Sequence, residues 1–189
     1  VEKQIEAYVG VPFIDSRGIQ IGHMGVMSRR PLNNPENVES VTKLFAVSVT
    51  AEMEREVSER RFADLFEFSP DAIVITDRDG LIVQANRQIA KVFGWTPAEL
   101  VGQPVEVLMP AALRAGHPAL REQYLQSALP RAMGSGRNDL LGLRKDGSVF
   151  PVDISLSPMQ TPEGLLVAAA VRDVTERQKV LHDLEAAGA

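Results

Sequence analysis

Phe150, Val152, Ile154 and Leu156 alternate with Pro151, Asp153 and Ser155 along one run of the chain. A period of two puts one face of an extended strand in a core and the other in water. The next run, GLLVAAAVRDV, is apolar on both faces. It reads as a central strand, covered on both sides or lying in a contact between two copies. Upstream, DLLGLRK meets the alternating run at Asp146-Gly147, a hairpin turn. The chain therefore ends in a three-strand meander that needs further strands beside it and a second layer above it.

An earlier hairpin supplies the further strands. AIVIT and LIVQA are joined by Asp77-Arg78-Asp79-Gly80, whose carboxylates read as turn residues with no catalytic role. The second layer lies between the two β regions. Asn86 is placed to cap the helix RQIAKVF, and Gly94 to end it in the left-handed conformation. Thr96, Pro97 and Glu99 make a capping box for a short helix over 97–101 that Gly102 ends. VEVLMP leads into a helix from about Pro118 to Ala128. TERQKVLHDLE begins a last helix, capped at Thr175. The order from Ala72 is β-β-α-α-α-β-β-β. That predicts an α+β domain with a five-stranded antiparallel sheet and helices on one face.

The N-terminal third has a different texture. Ile5, Ala7, Val9, Val11 and Phe13 alternate, DSRG turns, and IQIGHMGVM returns as a second strand. From Glu36 a helical stripe of Val38, Val41, Leu44, Phe45, Val49 and Met53 leads into the charged EMEREVSERR. This reads either as a connector between domains or as one helix on one domain. The first residue is Val1 and the last helix has no terminator, so both ends are expected to be cut.

Composition excludes several classes. The 189 residues are 44% hydrophobic and 24% charged, which is globular. A net charge of −5 and no basic stripe disfavour nucleic acid. No apolar run approaches the length of a membrane span. With no Cys there are no disulfides, thiolate nucleophiles or cysteinyl adducts, which fits a cytoplasmic protein.

The runs SPDAIVITDRDGLIVQAN, FGWTPAELVGQPVEVLMP, LRKDGSVFPVDISLSP and VRDVTERQ occur in the order and spacing of a PAS domain, which this part of the chain resembles. The first 55 or so residues resemble the C-terminal part of a GAF domain. The implied organisation is a GAF-like remnant over 1–55, a connector helix over 56–68, a PAS domain over 69–178 and an output-linking helix over 179–189. The resemblance implies a non-enzymatic sensory module of a signalling protein, such as a histidine kinase or cyclase. It implies a small-molecule ligand and homodimerisation through the flanking helices, with Val180, Leu181 and Leu184 as the stripe of the last one. Asp173 and Thr175 match the family's transmission motif, where a strand becomes a helix and side chains can meet free amides.

The same resemblance implies a ligand pocket lined by Val92, Phe93, Leu108, Leu125, Met133, Ile154, Leu156, Val167 and Ala169. Its helix carries His117, Leu120, Tyr124, Leu125 and Ala128 near one stripe, with His117 at the cap before Pro118. One reading makes His117 a half-buried histidine at the pocket mouth. The other follows the haem-binding PAS subset, in which His117 would be the axial ligand and Arg137 of GSGR its partner. Gln123 and Arg131 depart from that subset, where an Arg and a His hold the propionates, and Ala132 is smaller than expected. His23 and His182 read as surface residues, and Trp95 as a packing aromatic more than a flavin platform. An enzyme using the same pocket lacks a nucleophile–base pair.

Overall fold

The structure is a computed structural model, and it describes residues 5–127, 129–133, 140–162 and 164–187. It divides into two compact units, Val1–Asp64 and Leu65–Ala189. In the first, β1 (Ala7–Ile14) and β2 (Gln20–Ser28) form an antiparallel hairpin. The alternation expected for β1 is present, with Ala7, Val9, Val11 and Phe13 more buried than the residues between them.

Helix α1 runs without a break over Pro35–Glu67. Its buried face differs from the expected stripe. Thr42, Ala46 and Thr50 are buried, whereas Val41, Leu44 and Phe45 are exposed. Threonine can occupy the inner face because its hydroxyl bonds back along the helix. Oγ1 of Thr42 donates to the Val38 carbonyl at 2.6 Å, and Oγ1 of Thr50 to that of Ala46 at 2.8 Å.

The second unit is the expected α+β domain. Its sheet comprises β3 (Ala72–Thr76), β4 (Ile82–Ala85), β5 (Arg131–Met133), β6 (Leu140–Leu143), β7 (Val149–Thr161) and β8 (Gly164–Asp173). The order is β4-β3-β8-β7-β5, with β6 also paired to β7, and every pairing is antiparallel. The apolar run GLLVAAAVRDV is the central strand β8, between β3 and β7. Six strands replace the expected five because β7 is 13 residues long. Its first part pairs with β6 and its later part with β5, so two short strands share one sheet position.

Between the hairpin and β5 lie α2 (Gln88–Phe93), α3 (Pro97–Leu100), a 3-10 turn (Val105–Leu108), α4 (Ala111–Arg114) and α5 (His117–Gln126). Gly94 ends α2 at φ 77°, as its position implies. Glu99 returns to the Thr96 amide at 3.0 Å, which is the expected reciprocal bond. Lys145 also pairs with Glu99 at 2.6 Å, and the two partners together hold the Glu99 carboxyl down to about 2. The core joins sheet residues such as Val74, Val152 and Val171 to Ile89, Phe93, Leu100 and Leu108 from the helical layer.

Asn86 does not cap α2. The residue before that helix is Arg87, and Asn86 is fully buried. Its Nδ2 donates to the carbonyls of Phe66 at 2.9 Å and Asp71 at 3.0 Å, while Oδ1 accepts the Ile73 amide at 2.9 Å. It therefore ties the last turn of α1 to the start of β3. A buried amide is stable there because three of its bonds are made. Helix α6 (Thr175–Ala187) follows β8 and starts one residue earlier than expected.

Candidate functional site

The inner sheet face and the helical layer enclose a cavity of about 350 Å³. Phe93, Leu108, Met133, Ile154, Leu156, Val167 and Ala169 all line it, together with His117. Alternation explains the sheet contribution. Leu156 stands opposite Ala169 across β7 and β8, and Ala169 opposite Val74 across β8 and β3. Val92 and Leu125 are not among the lining residues. Val92 points its backbone carbonyl at Arg144, and the inward face of α5 runs through His117, Arg121 and Tyr124 at helical spacing. Arg137 and Ala128 lie outside the described residues.

His117 is the first residue of α5, preceded by Gly116 as N-cap, so it is not itself the cap. It lines the cavity beside a buried carboxylate that sequence patterning missed. Nδ1 of His117 lies 2.8 Å from Oε1 of Glu106, and Nη1 of Arg121 donates to the same oxygen at 2.7 Å. Burial pushes the Glu106 carboxyl up. The His117 hydrogen bond and the Arg121 charge outweigh that, and the group lies below its ordinary value. An ionised Glu106 only accepts, so the neutral imidazole carries its proton on Nδ1 and keeps a lone pair on Nε2. The signal for this cluster was Glu106 itself, a charge among Val105, Val107 and Leu108 that needs a partner once buried.

Arg121 is held in turn by a notch in the β3–β4 turn. Gly80 has φ +82°, and a Cβ there would overlap the Arg121 guanidinium. At the far end of α5, the Tyr124 hydroxyl donates to the Leu129 carbonyl at 2.9 Å, and burial raises its pKa. The guanidinium of Arg131 stacks on the Tyr124 ring, 4.8 Å from its centroid.

A second cluster sits where β8 becomes α6. Oδ1 of Asp173 accepts the Thr175 amide at 2.9 Å and the Thr175 hydroxyl at 2.6 Å. The Asp173 carboxylate thus meets a free helix amide, while the Thr175 hydroxyl donates to Asp173. Oδ2 of Asp173 pairs with Arg144 at 2.6 Å. Arg144 stacks over Phe150 at 3.7 Å and donates to the Val92 carbonyl on α2. Burial alone would raise the Asp173 carboxyl, but Thr175 and Arg144 together hold it below its usual range. Trp95 packs against the core with Lys145 over its ring and does not line the cavity.

One antiparallel sheet closed by short helices over an apolar cavity, with a hydrogen-bonded exit into the following helix, defines an α+β domain built around a ligand-sized chamber. The PAS fold family matches residues 60–174, and the chain belongs to that family. The chain is similar to the sensor protein FixL of Bradyrhizobium diazoefficiens, 34% identical over 110 residues, which are 58% of this chain and 22% of FixL. It is also similar to the probable diguanylate cyclase DgcE of Escherichia coli, 23% identical over 172 residues, 87% of this chain and 15% of DgcE. The chain thus spans less than a quarter of the length of these relatives. The PAS domain of an HTR-like protein from Haloarcula marismortui shares the fold at TM-score 0.56 and 24% identity, covering 65% of this chain and 97% of that one. PAS domains are sensory parts of signalling proteins, and none of the described helices is long and apolar enough to cross a membrane.

Proposed function

We propose that this PAS domain holds a small ligand in the cavity and passes its occupancy through α6 to an output domain. The observation that carries the reading is the path from α2 through Arg144 to Asp173 and Thr175. Phe93, next to Val92, lines the cavity, so a ligand that moves α2 also moves a group bonded to the base of α6. The residues act by binding and positioning, and we read the domain as non-catalytic and cytoplasmic.

Homodimerisation through the flanking helices belongs to the same reading. Leu44, Phe45 and Leu65 of α1 and Val180 and Leu184 of α6 are exposed apolar side chains on those helices. The GAF resemblance of residues 1–55 is supported by the order hairpin then long helix.

Amide hydrogen exchange on the whole chain tests the relay. Ala169→Phe fills the cavity and stands in for occupancy. The expected result is altered protection in the first turns of α6, abolished when Arg144→Ala is added. Unaltered α6 exchange in a variant whose cavity is filled sinks the relay.

A second reading, haem with His117 as axial ligand, is favoured by the bond from His117 to Glu106. A carboxylate on one ring nitrogen fixes the tautomer and aims the other nitrogen's lone pair, as in many metal-ligating histidines. The donor chemistry therefore fits, with His117 to hold the iron, while the cavity of about 350 Å³ would have to enlarge to take the whole macrocycle. Bound haem would supply an iron that takes a diatomic gas or changes oxidation state. Reconstitution should then give a Soret band that is lost in His117→Ala; protein without any such band sinks this reading.

A further inference from the structure

Arg131 ends a row of side chains that is otherwise apolar. It stands opposite Leu156 on β7, which stands opposite Ala169 on β8, which stands opposite Val74 on β3. All four line the cavity. The row therefore places a guanidinium at the sheet edge, on the cavity face.

The other polar side chains that line the cavity are engaged. Arg121 and His117 share Glu106, the Tyr124 hydroxyl is given to Leu129, and the Thr76 hydroxyl to the Val167 carbonyl. One carboxylate balances the Arg121 charge. Arg131 has no carboxylate partner among the described residues, and its contact is the face of Tyr124. It also lines the adjoining groove with Leu120, Gln123 and Leu129, so it stands where the cavity meets solvent.

We infer that the cavity takes an apolar monocarboxylate, its hydrocarbon body against the sheet and its carboxylate on the Arg131 guanidinium. A guanidinium with no carboxylate partner among the described residues, set beside apolar walls, favours a ligand with a single anionic end, and its planar fork matches a carboxylate. The volume of about 350 Å³ matches about a dozen water-sized groups, which sets the scale at a medium-chain or single-ring acid. This rests on the small-ligand reading and adds the ligand's chemical class to it.

Octanoate and 1-octanol separate the two ideas, because they share a tail and differ in charge. Calorimetric titration of the whole chain should show octanoate binding more tightly than octanol. Arg131→Gln should weaken octanoate about tenfold or more and leave octanol within about twofold. Ala169→Phe should abolish both. A second uncharged variant, Arg131→Thr, suits an edge strand and keeps the comparison open if the first aggregates. Equal octanoate affinity with and without the Arg131 charge overturns the carboxylate anchor and leaves the cavity reading standing. Binding of neither probe, or binding indifferent to Ala169→Phe, overturns both.

Discussion

Arg144, in the turn of the β6–β7 hairpin, donates to Oδ2 of Asp173 at the end of β8 at 2.6 Å. The same carboxylate holds the Thr175 amide and hydroxyl through its other oxygen. One acid thus joins a strand, a hairpin and the first turn of a helix. Asp173→Ala should lower the free energy of unfolding by about 2 kcal/mol, the scale of charge-assisted hydrogen bonds. Combined with Arg144→Ala, the losses should fall short of additivity by about 1 kcal/mol. Urea denaturation of the two single variants and the double variant measures both quantities.

Acid should unfold the domain through a small set of carboxyls. Asp173 and Glu106 lie below their ordinary values, and Glu99 is held down to about 2. Each folded value is below the unfolded one. The stability each contributes is therefore complete above the unfolded carboxylate range, about 4 to 4.5, and is lost as pH falls through the folded value. Thermal melts from pH 7 to 2 should show a plateau down to about pH 5 and a steady decline below it. A domain equally stable at pH 3 and pH 7 would refute the assignment.

Asn86 should be among the most sensitive polar positions. Asn86→Ala removes the three buried hydrogen bonds that the side chain makes to the Phe66 and Asp71 carbonyls and the Ile73 amide. The expected cost is about 3 kcal/mol. Asn86→Asp should be comparably damaging, because a carboxylate cannot donate to either carbonyl. Guanidinium denaturation gives the cost, and exchange at the last turn of α1 shows whether that turn frays first.

Glu106→Leu should change His117 as well as stability. Arg121 then loses its buried partner, for an expected loss of about 2 kcal/mol. Nitrogen-15 shifts of the imidazole report the tautomer directly. In the native chain the neutral ring should carry its proton on Nδ1, and the variant should lose that preference.

Local signals were the ones legible in the sequence. The Thr96–Glu99 reciprocal bond, the left-handed Gly94 and the two-faced apolar strand β8 each depend on neighbours within a few residues or on a simple period. Long-range partners decided the rest. Asn86 has a plausible capping position, yet its amide is claimed by Phe66 and Asp71, which only the fold brings near. On α5, apolar patterning favoured Leu125, whereas Arg121 takes the inward place because Glu106, on a separate turn, neutralises it. Strand β5 was missed because three residues after a proline carry too little pattern, and pairing with the long β7 defines it. On α1, apolar count selected Leu44 and Phe45 over threonines whose hydroxyls are satisfied within the helix.

The bare backbone at Gly80 has a wider effect than bending a turn. Any larger residue there would displace the Arg121 guanidinium from its resting place. Glu106 would then face His117 with no guanidinium beside it, and the charge on the cavity wall would be redistributed. Two strands meet at that turn, far along the sequence from α5. The electrostatics of the chamber are thus set partly by a residue with no side chain, located outside its walls.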